Sequence, residues 1–135
     1  MFKNVESTEM FSIDLCRKNP RKLYIFGDNI QKIGMGGQAI IRKELNSFGI
    51  SSKYSIMESY DDKRFLENKR FIDQDVVELK ILMDAYDKVV FSQYGIGTGL
   101  ASLQSLAPRT FLYLSQVLLD NFGFNNVKYL IPIKR

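Results

Sequence analysis

The chain has 135 residues, a formal charge of +4 and a 45% hydrophobic share, which fits one folded domain over 1–135 and argues against disorder. Histidine is absent and cysteine occurs once, so Ser-His-Asp and Cys-His catalysis, histidine-ligated zinc and thiolate metal clusters are excluded. Any acid–base chemistry falls to Asp, Glu, Lys, Tyr or a bound water, and neither a metal nor a cofactor is expected.

Cys16 has no internal partner for a disulfide, which points to a reducing compartment and to a small core hydrophobe. The opening MFKNVEST is too polar for a signal peptide, and no apolar run approaches membrane-spanning length. A cytoplasmic protein with no membrane partner is expected. The positive charge mildly favours anionic partners. However, Arg17, Lys18, Arg21 and Lys22 flank a proline, and Lys63, Arg64, Lys69 and Arg70 lie in a mixed-charge stretch, as on solvated faces. A polynucleotide groove interleaves aromatics with its cations. Here the aromatics sit in apolar runs, so a polynucleotide is the less favoured partner.

In chain order, residues 9–18 (EMFSIDLCRK) predict a short helix ended near Asn19-Pro20, because the residue before proline avoids helical dihedrals. Residues 23–26 (LYIF) predict a buried strand stopped by Gly27-Asp28-Asn29. After the turn GMGG, residues 38–45 (QAIIRKEL) place Ile40, Ile41 and Leu45 at helical spacing. Residues 53–57 (KYSIM) predict a weaker strand. Residues 58–72 are charged and unpatterned, as in a lid over a cleft. From 73 to 86, Val76, Leu79, Met83 and Tyr86 mark one helical face, with Asp73 as its N-cap. Residues 89–91 (VVF) predict the next strand and 106–122 the clearest helix, with Pro108 in its first turn and Gly123 as its C-terminal cap. Residues 127–133 (VKYLIPI) predict a closing strand, with Pro132 near its end. Alternating strands and helices of this kind indicate an α/β domain.

The informative signal is a repeated arrangement of strand, polar turn, glycines and helix. The first copy is LYIFGDNIQKIGMGGQAIIRKEL and the second VVFSQYGIGTGLASLQSLAPRTF. In an open parallel sheet, ligands bind beyond the carboxyl ends of the strands. Glycines there let backbone N–H groups approach and donate to phosphate oxygens. Two such loops side by side can hold a diphosphate between them. Neither is a Walker A motif, and neither is GxGxxG with a ribose-binding acid at the required distance. Taken singly, each is also readable as a tight turn with a helix cap.

The order of these motifs resembles that of a macrodomain, the ADP-ribose-binding α/β/α fold, and is closest to the branch of terminal ADP-ribose glycohydrolases. Residues 34–49 (GMGGQAIIRKELNSFG) resemble that branch's glycine turn and basic first helix. Residues 89–103 resemble its second phosphate loop, and 127–133 its closing strand. The resemblance implies a three-layer, Rossmann-like α/β/α domain with a mixed sheet. It implies that the backbones of Gly34, Met35, Gly36, Gly37 and Gln38, and of Gly95, Ile96, Gly97, Thr98, Gly99 and Leu100, hold the diphosphate and distal ribose. Asn29 then sits near the ribose, and Asp28 beside it. Both are equally readable as turn formers through local hydrogen bonds, Asp28 more so. Gln93 and Tyr94 lead into the second loop. Tyr94 either stacks on a base or ribose or wedges the loop against the core, and Met35 is readable as loop packing.

In the glycohydrolase branch a lysine at the end of the strand after the first helix attacks the ribose. Lys53 is its nearest counterpart, with an ordinary exposed lysine as the alternative; a lysine nucleophile needs burial or a neighbouring cation. The branch's catalytic aspartate after GxGL is replaced here by Ala101, which leaves the acid–base role unfilled unless Asp28, Glu58 or Asp61 reaches in. The adenine-reading aspartate has no motif counterpart, Glu6 and Asp14 being poor substitutes. Three functions follow: a module that binds ADP-ribose or another NAD-derived nucleotide and sequesters it; an ADP-ribosyl hydrolase using Lys53; or a basic module for nucleic-acid ends or proteins. The replacement at position 101 favours the first over the second.

Overall fold

A computed structural model of the chain describes residues 4–8, 10–99 and 101–126. Its strands are β1 (Asn4–Thr8), β2 (Lys22–Asn29), β3 (Ser47–Lys53) and β4 (Lys88–Ser92), joined in the order β1-β4-β2-β3 with every pairing parallel. The helices are α1 (Ile13–Lys18), α2 (Phe65–Leu82), α3 (Leu103–Leu106) and α4 (Pro108–Phe122). The domain is therefore α/β, and the described sheet is parallel where a mixed one was expected. No helix among the described residues is long and apolar enough to cross a membrane.

Alternation along the central strands divides the core in two. Leu23, Ile25, Val89 and Phe91 pack with residues of α2 and α4 such as Ile72, Leu79, Leu114 and Leu118. Tyr24, Phe26 and Val90 pack on the other side with Phe11, Cys16 and Ile41. Cys16 is a core hydrophobe as expected, and burial pushes its thiol up to about 11.

Several elements differ from the sequence expectation, each for a tertiary reason. β2 does not stop at Gly27-Asp28-Asn29 but continues through it, because Asp28 and Asn29 pair with Ser51 and Lys53 of β3; ladder pairing overrides the turn propensity of these residues. The helix expected over 38–45 is only a 3-10 turn, Gly37–Ile41. Of its three apolar positions Ile41 alone is buried, while Leu45 is 95% exposed. The strand expected at 53–57 lies earlier, at β3, and 54–58 is a turn closed by the Tyr54 N–H on the Glu58 carbonyl (2.8 Å). β1 was not anticipated. The expected strand 127–133 lies outside the described residues.

Helix α2 starts at Phe65, so Asp73 is inside it rather than its N-cap, and there it pairs with Lys69 (3.0 Å) and Tyr113. The segment expected as a lid is packed instead. Asn68 is fully buried, accepts from the Tyr54 hydroxyl (2.7 Å) and donates to Thr110 Oγ1 (3.0 Å). The helix expected over 106–122 divides at Ala107 into α3 and α4. Pro108 occupies the first turn of α4, and Gly123, with φ 69°, ends it.

Asp62 caps α4 from outside that helix. Its carboxylate accepts from the Arg109 N–H (2.8 Å) and from the Thr110 N–H and hydroxyl (both 2.9 Å). Burial opposes its charge, but these donors outweigh burial and hold its carboxyl below the usual value. A folded-state pKa below the unfolded one stabilises the fold above the unfolded value, about 3.9, and that contribution is lost as pH falls through the folded value. Asp62→Asn is therefore expected to flatten the acid limb of a stability–pH curve measured by urea titration. An acid limb identical to that of the unmodified protein contradicts the capping role.

Candidate functional site: a cavity between two glycine loops

β2 and β4 are neighbours in the sheet, and the chain leaves their carboxyl ends toward opposite faces. After β2 it packs with Tyr24 and Phe26 through Ala39 and Ile41; after β4 it packs on the other face through Leu103 and α4. Divergence of adjacent connections opens a crevice at the carboxyl edge of a parallel sheet. A cavity of about 460 Å³ occupies that position, within the usual range for small-molecule sites.

Both loops line the cavity: residues 34–38 after β2, and Tyr94, Gly95, Gly97, Thr98 and Gly99 after β4. Among the described residues, the N–H groups of 34–38 and of Gly97, Thr98 and Gly99 have no protein acceptor. A concave wall of unpaired N–H groups attracts an anion. Each loop is nonetheless tied to the rest of the fold by side-chain hydrogen bonds. Asn126 holds Ile96 by both backbone groups, accepting from its N–H (2.7 Å) and donating to its carbonyl (3.0 Å). Gln38 ties the first loop to the end of β4 and to the segment before α1: its amide donates to Ser92 Oγ (3.3 Å) while its oxygen accepts from the Phe11 N–H (2.7 Å).

Asp28 and Arg42 anchor the first loop. The guanidinium forks onto the carboxylate (2.8 and 2.5 Å) and also donates to the carbonyls of Gly34 (2.8 Å) and Ile33 (3.0 Å). The Asp28 side chain is 1% exposed and fills space beside Gly49, where a Cβ would collide with its carboxylate. Asn29 closes the 29–33 turn, donating to the Ile33 carbonyl (2.8 Å). Both residues line the cavity, and both side chains serve the turn.

Lys53 also lines the cavity, next to the first loop, and its amino group donates to the Ile56 carbonyl (2.5 Å). Ala101 is in the lining too, whereas Glu58 and Asp61 are not; they face Arg64. Neither carboxylate reaches in to replace the one missing at position 101. Glu6 lies between Lys22 (2.8 Å) and Lys88 (3.1 Å), and Asp14 pairs with Lys18 (3.0 Å), so neither lines the cavity. Gln93 and Ile96 are outside the lining, and Leu100 is outside the described residues. Tyr94 is 48% exposed at the rim, which excludes the core wedge, and Met35 also faces the cavity.

Sequence reasoning missed Arg42, Asn126 and Ser92 as organisers of the site, and Met10, Ile33 and Ile56 as its apolar border. Arg42 sits in the quoted QAIIRKEL, but its role depends on Asp28, 14 positions away. Among the described residues no cluster of metal-ligating side chains occurs.

Fold and site together define an α/β domain with a cavity at the carboxyl edge of its sheet, lined by two glycine-containing loops. Residues 6–117 match a family of unknown function, DUF7831, and the chain belongs to that family. No curated protein and no solved structure matches it.

Proposed function

We propose that the cavity binds ADP-ribose or a related NAD-derived nucleotide, with its diphosphate between the two loops, and that the domain is a three-layer macrodomain-like fold. One observation carries this reading: eight backbone N–H groups without acceptors among the described residues, five at 34–38 and three at 97–99, border one cavity. A single hydrogen bond to a charged group contributes only about 1.5–3 kcal/mol, so the affinity comes from their number and convergence. Sequestration of the nucleotide is favoured over its hydrolysis. The only carboxylate in the described lining is Asp28, and Arg42 engages both of its oxygens, so it is not presented to a ligand. The basic-module alternative is weakened by pairing of Arg17, Arg21 and Lys69 with Glu44, Asp87 and Asp73.

Titration calorimetry with ADP-ribose is expected to show one site per chain, and absence of heat with any ADP-ribose-type ligand overturns the proposal. Lys53→Ala separates binding from chemistry. As a binding module, the protein should release no ADP-ribose from ADP-ribosylated peptide with either residue at position 53. Turnover that disappears in Lys53→Ala establishes the hydrolase instead.

A further inference from the structure

The polar groups of the cavity wall sort by what they can still do. Among the described lining residues, three carry an amide or carboxylate suited to reading a base edge: Asp28, Asn29 and Gln38. All three are occupied. Asp28 holds Arg42 and accepts from the Asn29 N–H (2.8 Å). The Asn29 amide is bonded to the Ile33 carbonyl, and that of Gln38 to Ser92 and Met10, with its oxygen on Phe11. What remains open is mostly donors, the loop N–H groups and Lys53, together with an apolar border of Met10, Ile33 and Ile56 and the exposed ring of Tyr94. Donors of this kind suit phosphate oxygens. An aromatic ring stacks on any base, because every base has a π-face.

From this wall we infer that the site holds its ligand by the diphosphate and by stacking, and does not discriminate among bases. This rests on the nucleotide reading above and narrows it: the ligand class is diphosphate-linked nucleotides, whichever base they carry. Tyr94 supplies a base-independent platform at the rim. The diphosphate lies between the loops, and the base edge meets no side-chain amide or carboxylate of the described lining that is free to select it.

The test is calorimetry on the full chain with ADP-ribose, ADP, GDP, UDP and CDP, and with inorganic pyrophosphate as the base-free probe. The four nucleoside diphosphates should bind with dissociation constants within about threefold of one another, whereas a bidentate base-edge contact would separate them by about tenfold or more. Tyr94→Ala should weaken all four by a similar factor, about tenfold, and leave pyrophosphate unchanged. A preference of about tenfold or more for one base overturns the inference while leaving the diphosphate site standing. Failure of ADP-ribose and all the other probes to bind overturns both.

Discussion

Replacing Arg42 by methionine is expected to lower folding stability by about 3–5 kcal/mol, the usual loss when one partner of a buried ion pair is removed, as read by urea titration. The Asp28 carboxylate would keep one short bond to the Asn29 N–H and lose both guanidinium contacts, with its side chain almost wholly shielded from water. The Gly34 carbonyl would lose the guanidinium donor in the same step, while the Ile33 carbonyl would keep the Asn29 amide. An Asp28→Asn/Arg42→Met double variant leaves no buried charge, so it should be more stable than Arg42→Met alone. A loss below about 1 kcal/mol, the range of an exposed pair, contradicts the role assigned to this clamp.

Gly36→Glu should reduce affinity for ADP-ribose at least about a hundredfold, two steps of 1.4 kcal/mol, with an unchanged melting temperature. Gly36 has φ −79° and ψ 150°, which any residue adopts, and a Cβ there meets no atom within 4 Å. The substitution adds a negative charge to the wall without strain. At 4 Å, two like charges near a protein surface repel by about 4 kcal/mol. Gly97 cannot serve the same purpose. Its φ is +78°, and a Cβ would lie 2.7 Å from the Leu103 side chain, so its variants mix loss of binding with loss of fold. Full affinity in a folded Gly36→Glu protein contradicts the placement of the anion at the first loop.

Legibility in the sequence followed the range of the interactions. Residues 23–26 and 89–91 read as strands because central strands are buried on both faces and therefore continuously apolar. Both ends of α4 were legible because Pro108 and Gly123 act through local backbone geometry. β3 was displaced in the reading because SFGISSK has little strand propensity; its pairing with β2 and the Asp75 carboxylate on Ser51 (2.7 Å) hold it in place. The first half of α2 was hidden because its buried positions include Asn68, polar in sequence but bonded to Tyr54 and Thr110 in the fold.

The glycine loops themselves were visible as motifs, and the structure places both on one cavity. What fixes them was not visible. Asn126 reaches Ile96 across 30 positions, and Gln38 reaches Ser92 across 54. No local pattern encodes such pairs, and they decide which N–H groups remain open to a ligand.

The most direct measurement is an amide-resolved NMR titration of the full chain with ADP-ribose. If a single diphosphate bridges the two walls, the amides of 34–38 and those of Gly97, Thr98 and Gly99 should shift together along one binding curve. Movement of only one set, or separate curves for the two, would contradict a shared anion between the loops.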